Sequence, residues 1–119
     1  MKVKKEPMGR IAVFLMPSLK LEQRDQKGKT IKDVIHDFLV KNFSGYTVET
    51  GNIFGYWKQK NGKVEYGEHR KFTVAFTGKD KIPILEKFIA RIAYVVGEEC
   101  IYLETGEDAW LIYSKKSRF

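Results

Sequence analysis

The dipeptide Asn61-Gly62 constrains this chain more than any other feature. It stands between two β-prone runs, residues 51–57 and 64–76. Asn-Gly supplies the positive φ angles of a tight turn whose twist matches the flanking strands, so the pair predicts an antiparallel hairpin. In the second arm Phe72, Val74 and Phe76 alternate with Thr73, Ala75 and Thr77, the period of a half-buried strand.

The remaining segments give the hairpin a sheet to join and helices to pack on. Residues 10–16 form an apolar run ended by Pro17, expected to be a central strand. Residues 19–29 read as a loop, long enough in a small domain to be mobile or functional. Thr30 caps a first helix, with Asp33 in the capping-box position, and Ile31, Val34, Ile35, Phe38 and Leu39 define its apolar stripe. Ser44-Gly45 ends it. Residues 46–50 are β-like, and Gly51 interrupts them at an expected bulge. Asp80 caps a second helix, Pro83 falls in its first turn where proline is tolerated, and Gly97 stops it. Its stripe is Ile82, Leu85, Phe88, Ile89, Ile92, Ala93 and Val96. Two strands follow, at 100–105 and 109–114, around a turn at 106–108.

The order is β-α-β-β-α-β-β. This predicts an α+β fold: a ferredoxin-like βαββαβ plan with an added C-terminal strand, an antiparallel sheet with two helices on one face. Large groups occupy both parities of several strands, as with Val13, Phe14 and Leu15, or Ile101, Tyr102 and Leu103. A one-sided sheet alternates more cleanly, so the second face is expected to be covered as well. A homodimer or larger homo-oligomer is the simplest cover; a buried extension of the chain is the competitor.

At 119 residues the chain is expected to be one domain spanning 10–114, with a flexible basic arm at 1–9 and a basic tail at 115–119. An apolar fraction of 43% is enough for a core without staples. The single cysteine, Cys100, excludes an internal disulfide and fits a reducing compartment. No run has the length of a membrane span or a signal peptide. The expectation is a cytoplasmic protein with no membrane partner. The formal charge of +7 favours anionic partners, although much of it sits in the two ends.

Four short motifs carry a resemblance. Gly45-Tyr46-Thr47-Val48, Gly55-Tyr56-Trp57, Asn61-Gly62 and Glu68-His69-Arg70-Lys71 together resemble a family of small, functionally uncharacterised domains of bacteria and their phages. The match spans residues 31–76, with an insertion near Thr50 to Phe54. The resemblance implies a ferredoxin-like fold and no particular activity.

No catalytic machine is legible. His36 is expected on a helix surface without a role. His69 lies between Glu68 and Arg70, but alternation along a strand points it away from both. No serine or cysteine nucleophile is paired with it, and Cys100 reads as a small core residue. Metal-ligand spacing is absent, and Glu98, Glu99, Glu104, Glu107 and Asp108 read as a solvated turn. Neither cofactor nor metal is expected.

The sharpest local feature is that Glu68 and Arg70 share the parity of Phe72 and Val74. Charges aimed inward are costly unless paired or lining a pocket. A bulge at Gly67 would remove the conflict by resetting the register. The expected ligand-binding set is Tyr56, Trp57, Lys58, Glu68, Arg70 and Lys71. Arg70 holds an anion, Lys58 or Lys71 assists, and Trp57 or Tyr56 stacks a ring. A purely structural alternative pairs Trp57 with Tyr66 across the hairpin. The functional expectation is non-catalytic capture of a phosphate-containing small molecule or nucleotide, as in a phage anti-defence sponge for a nucleotide immune signal. The alternatives are a basic nucleic-acid-binding protein and an antagonist that pairs with a host enzyme through an edge strand.

Overall fold

The computed structural model describes residues 2–106 and 108–116. Glu107 of the expected acidic turn and Arg118 of the expected basic tail lie outside them. The elements are β1 (Arg10–Pro17), a 3-10 turn (Ser18–Glu22), α1 (Ile31–Asn42), β2 (Tyr46–Val48), β3 (Ile53–Lys58), β4 (Val64–Phe76), α2 (Lys81–Val96), β5 (Cys100–Thr105) and β6 (Asp108–Tyr113). This is an α+β fold with two helices and an antiparallel sheet, as the element order predicts, but the sheet has six strands and not five, because the segment before the turn is split into β2 and β3. The strand order is β2-β4-β1-β5-β6, with β3 also paired to β4.

β1 is central because it can be: Ala12, Phe14 and Met16 are all buried, and both of its edges are paired. On the same face lie Phe72, Val74 and Phe76 of β4 and Ile101 and Leu103 of β5. The helices cover this face with Ile31, Ile35 and Leu39 of α1 and with Leu85, Phe88, Ile89, Ile92, Ala93 and Val96 of α2. A ring stack ties each layer together. Phe14 lies on Phe72 within the sheet, with centroids 5.0 Å apart, and Phe38 of α1 lies on Phe88 of α2 at 3.7 Å.

The helix ends follow local chemistry. The Thr30 side chain accepts a hydrogen bond from the Asp33 amide at 3.4 Å, the expected cap. Gly97 closes α2 in the left-handed region at φ 76°, where a side chain would be strained. Asp80 precedes α2 with helical backbone angles and makes no side-chain cap hydrogen bond, unlike the expectation. The segment after β1 is not a plain loop. Residues 18–22 form the 3-10 turn, anchored by buried Leu21 and by Lys20, whose Nζ donates to the Val96 carbonyl at the end of α2 (2.8 Å).

β4 is one strand of 13 residues with no bulge at Gly67. Its C-terminal half pairs with β1 on one edge and β2 on the other. Its first residues, 64–68, pair with β3 only, so the outer hairpin projects from the sheet as a two-stranded arm. Along that edge of β4 the neighbouring strand is broken where Gly51 predicts an interruption. Val48 opposes Phe72 and Ile53 opposes His69, so residues 49–52 stand against only Arg70 and Lys71.

Among the described residues nothing covers the second sheet face. It presents Val13 and Leu15 half-buried, and Ile11, Leu111 and Tyr113 exposed at 60%, 55% and 58%. Cys100 lies on this face opposite Tyr113 and is half-buried, not part of the core. Among the described residues no helix is long and apolar enough to cross a membrane.

Replacing Phe14 with Ala removes the ring at the centre of the sheet and is expected to destabilise the domain by about 3–5 kcal/mol in urea unfolding. A loss under about 1 kcal/mol would mean that this stack is not central to the core.

Candidate functional site

The break between β2 and β3 opens a cavity of about 640 Å³ on the helix side of the sheet. Its floor is Tyr46, Val48, Arg70 and Phe72; one wall is Lys32, Asp33 and His36 of α1; the other is Ser18, Leu19, Leu21 and Glu22 of the 3-10 turn. Asn52 from the interrupting loop completes the rim and accepts a hydrogen bond from the Ser18 hydroxyl at 2.5 Å. The volume falls in the range of small-molecule sites.

The polar groups lining it are unevenly satisfied. The Tyr46 hydroxyl shares a hydrogen bond of 2.9 Å with His36 Nδ1, and the two rings meet edge-on at 5.7 Å. Lys32 donates to Glu22 at 2.9 Å in an exposed pair of small energetic weight. Arg70 stands differently. Its Nε is buried and has no hydrogen-bond partner among the described residues, a costly state for a cationic group. The lining therefore presents two carboxylates, Glu22 and Asp33, and two cations, Lys32 and Arg70.

The six residues to which the sequence points do not converge. Arg70 alone lines the cavity. Tyr56, Lys58 and Glu68 are on the same face of the sheet but further out along the arm, where Tyr56 is 69% exposed. Trp57 and Lys71 are on the opposite face, where Lys71 lies 3.9 Å from Glu49. The cross-strand partners also differ from expectation. The turn closes through hydrogen bonding between Gln59 and Lys63, which sets Trp57 opposite Glu65 and Tyr56 opposite Tyr66. Trp57 donates from Nε1 to Glu65 at 3.0 Å and rests against the His69 ring at 5.6 Å. Gly67 makes room for this packing, since a Cβ there would lie 2.6 Å from His69 Cε1. Phe54, Tyr66 and Tyr56 form a short ladder on the other face of the arm, with centroids 5.9 and 5.3 Å apart.

Sequence reading missed Ser18, Glu22, Asp33, His36, Tyr46 and Asn52. Two signals pointed near them. The segment before α1 was long enough to carry function, and Gly51, which interrupts the strand, is next to Asn52. His36, expected to be inert, lines the cavity with its ring partnered by Tyr46. Among the described residues no cluster of side chains suits a metal ion.

No protein-family model matches the sequence, and comparison with curated proteins gives no match. Two solved structures share the fold. One is a phage SAM lyase in complex with S-methyl-5′-thioadenosine, with TM-score 0.60 and 12% identity, covering 99% of this chain and 100% of that one. The other is a phage SAM lyase in the apo state, with TM-score 0.57, 11% identity and the same coverage. At such identity the likeness establishes the fold.

Burial, and after it the Asp33 carboxylate, push the Tyr46 phenol above its ordinary value of 10.0. As pH rises past that value the unfolded chain ionises first and binds fewer protons than the folded one. The contribution of Tyr46 to stability is thus fully present below about pH 10 and is lost as pH rises through the folded value. Urea midpoints measured between about pH 9 and pH 11 are expected to fall more steeply for the wild type than for Tyr46→Phe. Parallel curves would contradict the buried phenol.

Proposed function

We propose that this chain is a phage-type protein that binds S-adenosylmethionine in the cavity beside Arg70 and cleaves it to S-methyl-5′-thioadenosine. The observation that carries the reading is the cavity itself. It is large enough for a nucleoside with a short tail, lined by aromatic rings and by charges of both signs, on a fold shared over nearly its whole length with a lyase that holds the thioadenosine.

The chemistry suits a site without a nucleophile. A sulfonium is its own leaving group: when the bond between sulfur and the four-carbon chain breaks, the electron pair returns to sulfur and leaves a neutral thioether. As that bond breaks, an oxygen of the fragment's own carboxylate bonds to the same carbon and closes a lactone, so no separate nucleophile or base is needed. The protein's part is to fix the reacting conformation and exclude water. Tyr46 offers a face for the base, and the His36–Tyr46 pair offers polar atoms for the ribose or the ring nitrogens. The lack of a legible catalytic set in the sequence therefore does not count against a lyase. It does count against polyphosphate capture, because Asp33 on the wall, in no ion pair among the described residues, repels added negative charge.

The ferredoxin-like plan and a homo-oligomer belong to the same reading. The strand order, with β1 between β4 and β5, supports the first. The open face, with Ile11, Leu111 and Tyr113 exposed beside Val13 and Leu15, supports the second, since monomers seldom expose contiguous apolar patches of this kind.

Two measurements check these claims. Incubation with S-adenosylmethionine followed by mass spectrometry is expected to release S-methyl-5′-thioadenosine in catalytic excess over protein. Intact, stoichiometrically bound S-adenosylmethionine would replace cleavage by capture, and neither product nor binding would overturn the reading. Native mass spectrometry is expected to give a multiple of the monomer mass that Leu111→Glu collapses to the monomer. A monomeric wild type would remove the oligomer from the reading.

A further inference from the structure

The cavity separates its unpaired charges by sign. On the floor, Arg70 projects from β4 beside the gap in the neighbouring strand, and its buried Nε has no partner. On the α1 wall, the Asp33 carboxylate forms no ion pair among the described residues, while Glu22 is already engaged by Lys32. A phosphate would gain from Arg70 and lose against Asp33. A neutral nucleoside would leave the buried Arg70 Nε without a partner and Asp33 to solvent alone. A zwitterion with a carboxylate at one end and an ammonium a few bonds away satisfies both.

We propose that Arg70 and Asp33 are specificity-determining residues that select ligands bearing an α-amino acid tail: Arg70 takes the carboxylate and Asp33 the ammonium. The assignment rests on the binding half of the proposed function and adds to it which part of the ligand decides affinity. A guanidinium matches a carboxylate through two parallel hydrogen bonds, which a point-charge ammonium does not reproduce. The gap opposite Arg70 is what lets a ligand reach that edge, because an unbroken edge strand would occupy it.

The test compares two non-cleavable adenosyl thioethers by titration calorimetry on the full chain. S-adenosylhomocysteine carries the amino acid tail, and S-methyl-5′-thioadenosine lacks it. The wild type is expected to prefer the tailed ligand by about tenfold or more, the worth of one charged hydrogen-bonded contact. Arg70→Gln and Asp33→Asn are each expected to lower affinity for S-adenosylhomocysteine while leaving affinity for S-methyl-5′-thioadenosine within about threefold, well below the loss of such a contact. Circular dichroism checks folding; if Arg70→Gln does not fold, Arg70→Lys, which keeps the charge without the fork, is expected to lose part of the preference. Equal wild-type affinity for the two ligands, or a preference that survives Arg70→Gln, overturns the assignment while leaving the nucleoside reading intact. A preference that survives only Asp33→Asn overturns the ammonium half. Binding of neither ligand by the wild type overturns the proposed function, and this assignment with it.

Discussion

The uninterrupted register of β4 is the constraint on which the rest depends. Because side chains alternate strictly along a strand, the parity that buries Phe72, Val74 and Phe76 also commits Arg70 and Glu68 to the helix side of the sheet. The helices end their cover before those positions. Glu68 reaches solvent along the arm, and Arg70 comes to rest at the boundary between core and water, half-buried. A one-residue slip would bury Lys71 and Thr73 and expose the core, so the position of Arg70 is held by the packing energy of the whole strand.

The second constraint is the break in the neighbouring strand. Four residues, 49–52, stand against two of β4. That mismatch removes ladder partners from the edge beside Arg70 and turns a flat sheet margin into a cavity. The 3-10 turn closes the far side, held by Leu21 in the core and by Lys20 on the last turn of α2. The turn, α1 and β4 thus reach the site from the hydrophobic core, the arrangement that a preorganised binding site needs.

Much of the fold was legible because hydrophobic period and turn chemistry act locally. Asn61-Gly62, the alternation at 72–76, the stripes of both helices, Thr30 and Gly97 all do what their chemistry predicts. The inward parity of Glu68 and Arg70 was visible too, as was its meaning for a pocket. The bulge at Gly67 that would have erased it is absent; that glycine makes space for His69 and Trp57 instead. The cavity walls were not legible, because Glu22, Asp33 and His36 lie far in sequence from Arg70 and meet it only through tertiary packing. The aromatic and basic residues of the hairpin drew attention by composition, yet the arm carries most of them away from Arg70. Trp57 and Lys71 fall on the other face for the same alternation that places Arg70.

The central claim is that a nucleoside occupies the space between the 3-10 turn, α1, β2 and the middle of β4. Amide chemical-shift mapping with S-methyl-5′-thioadenosine tests it most directly. The account predicts saturable shifts confined to residues 18–22, 30–36, 46–52 and 70–72, with the outer arm and the open sheet face unchanged. Shifts that cluster on the arm or on the face of Leu15 and Tyr102, or no shifts at millimolar ligand, would contradict it.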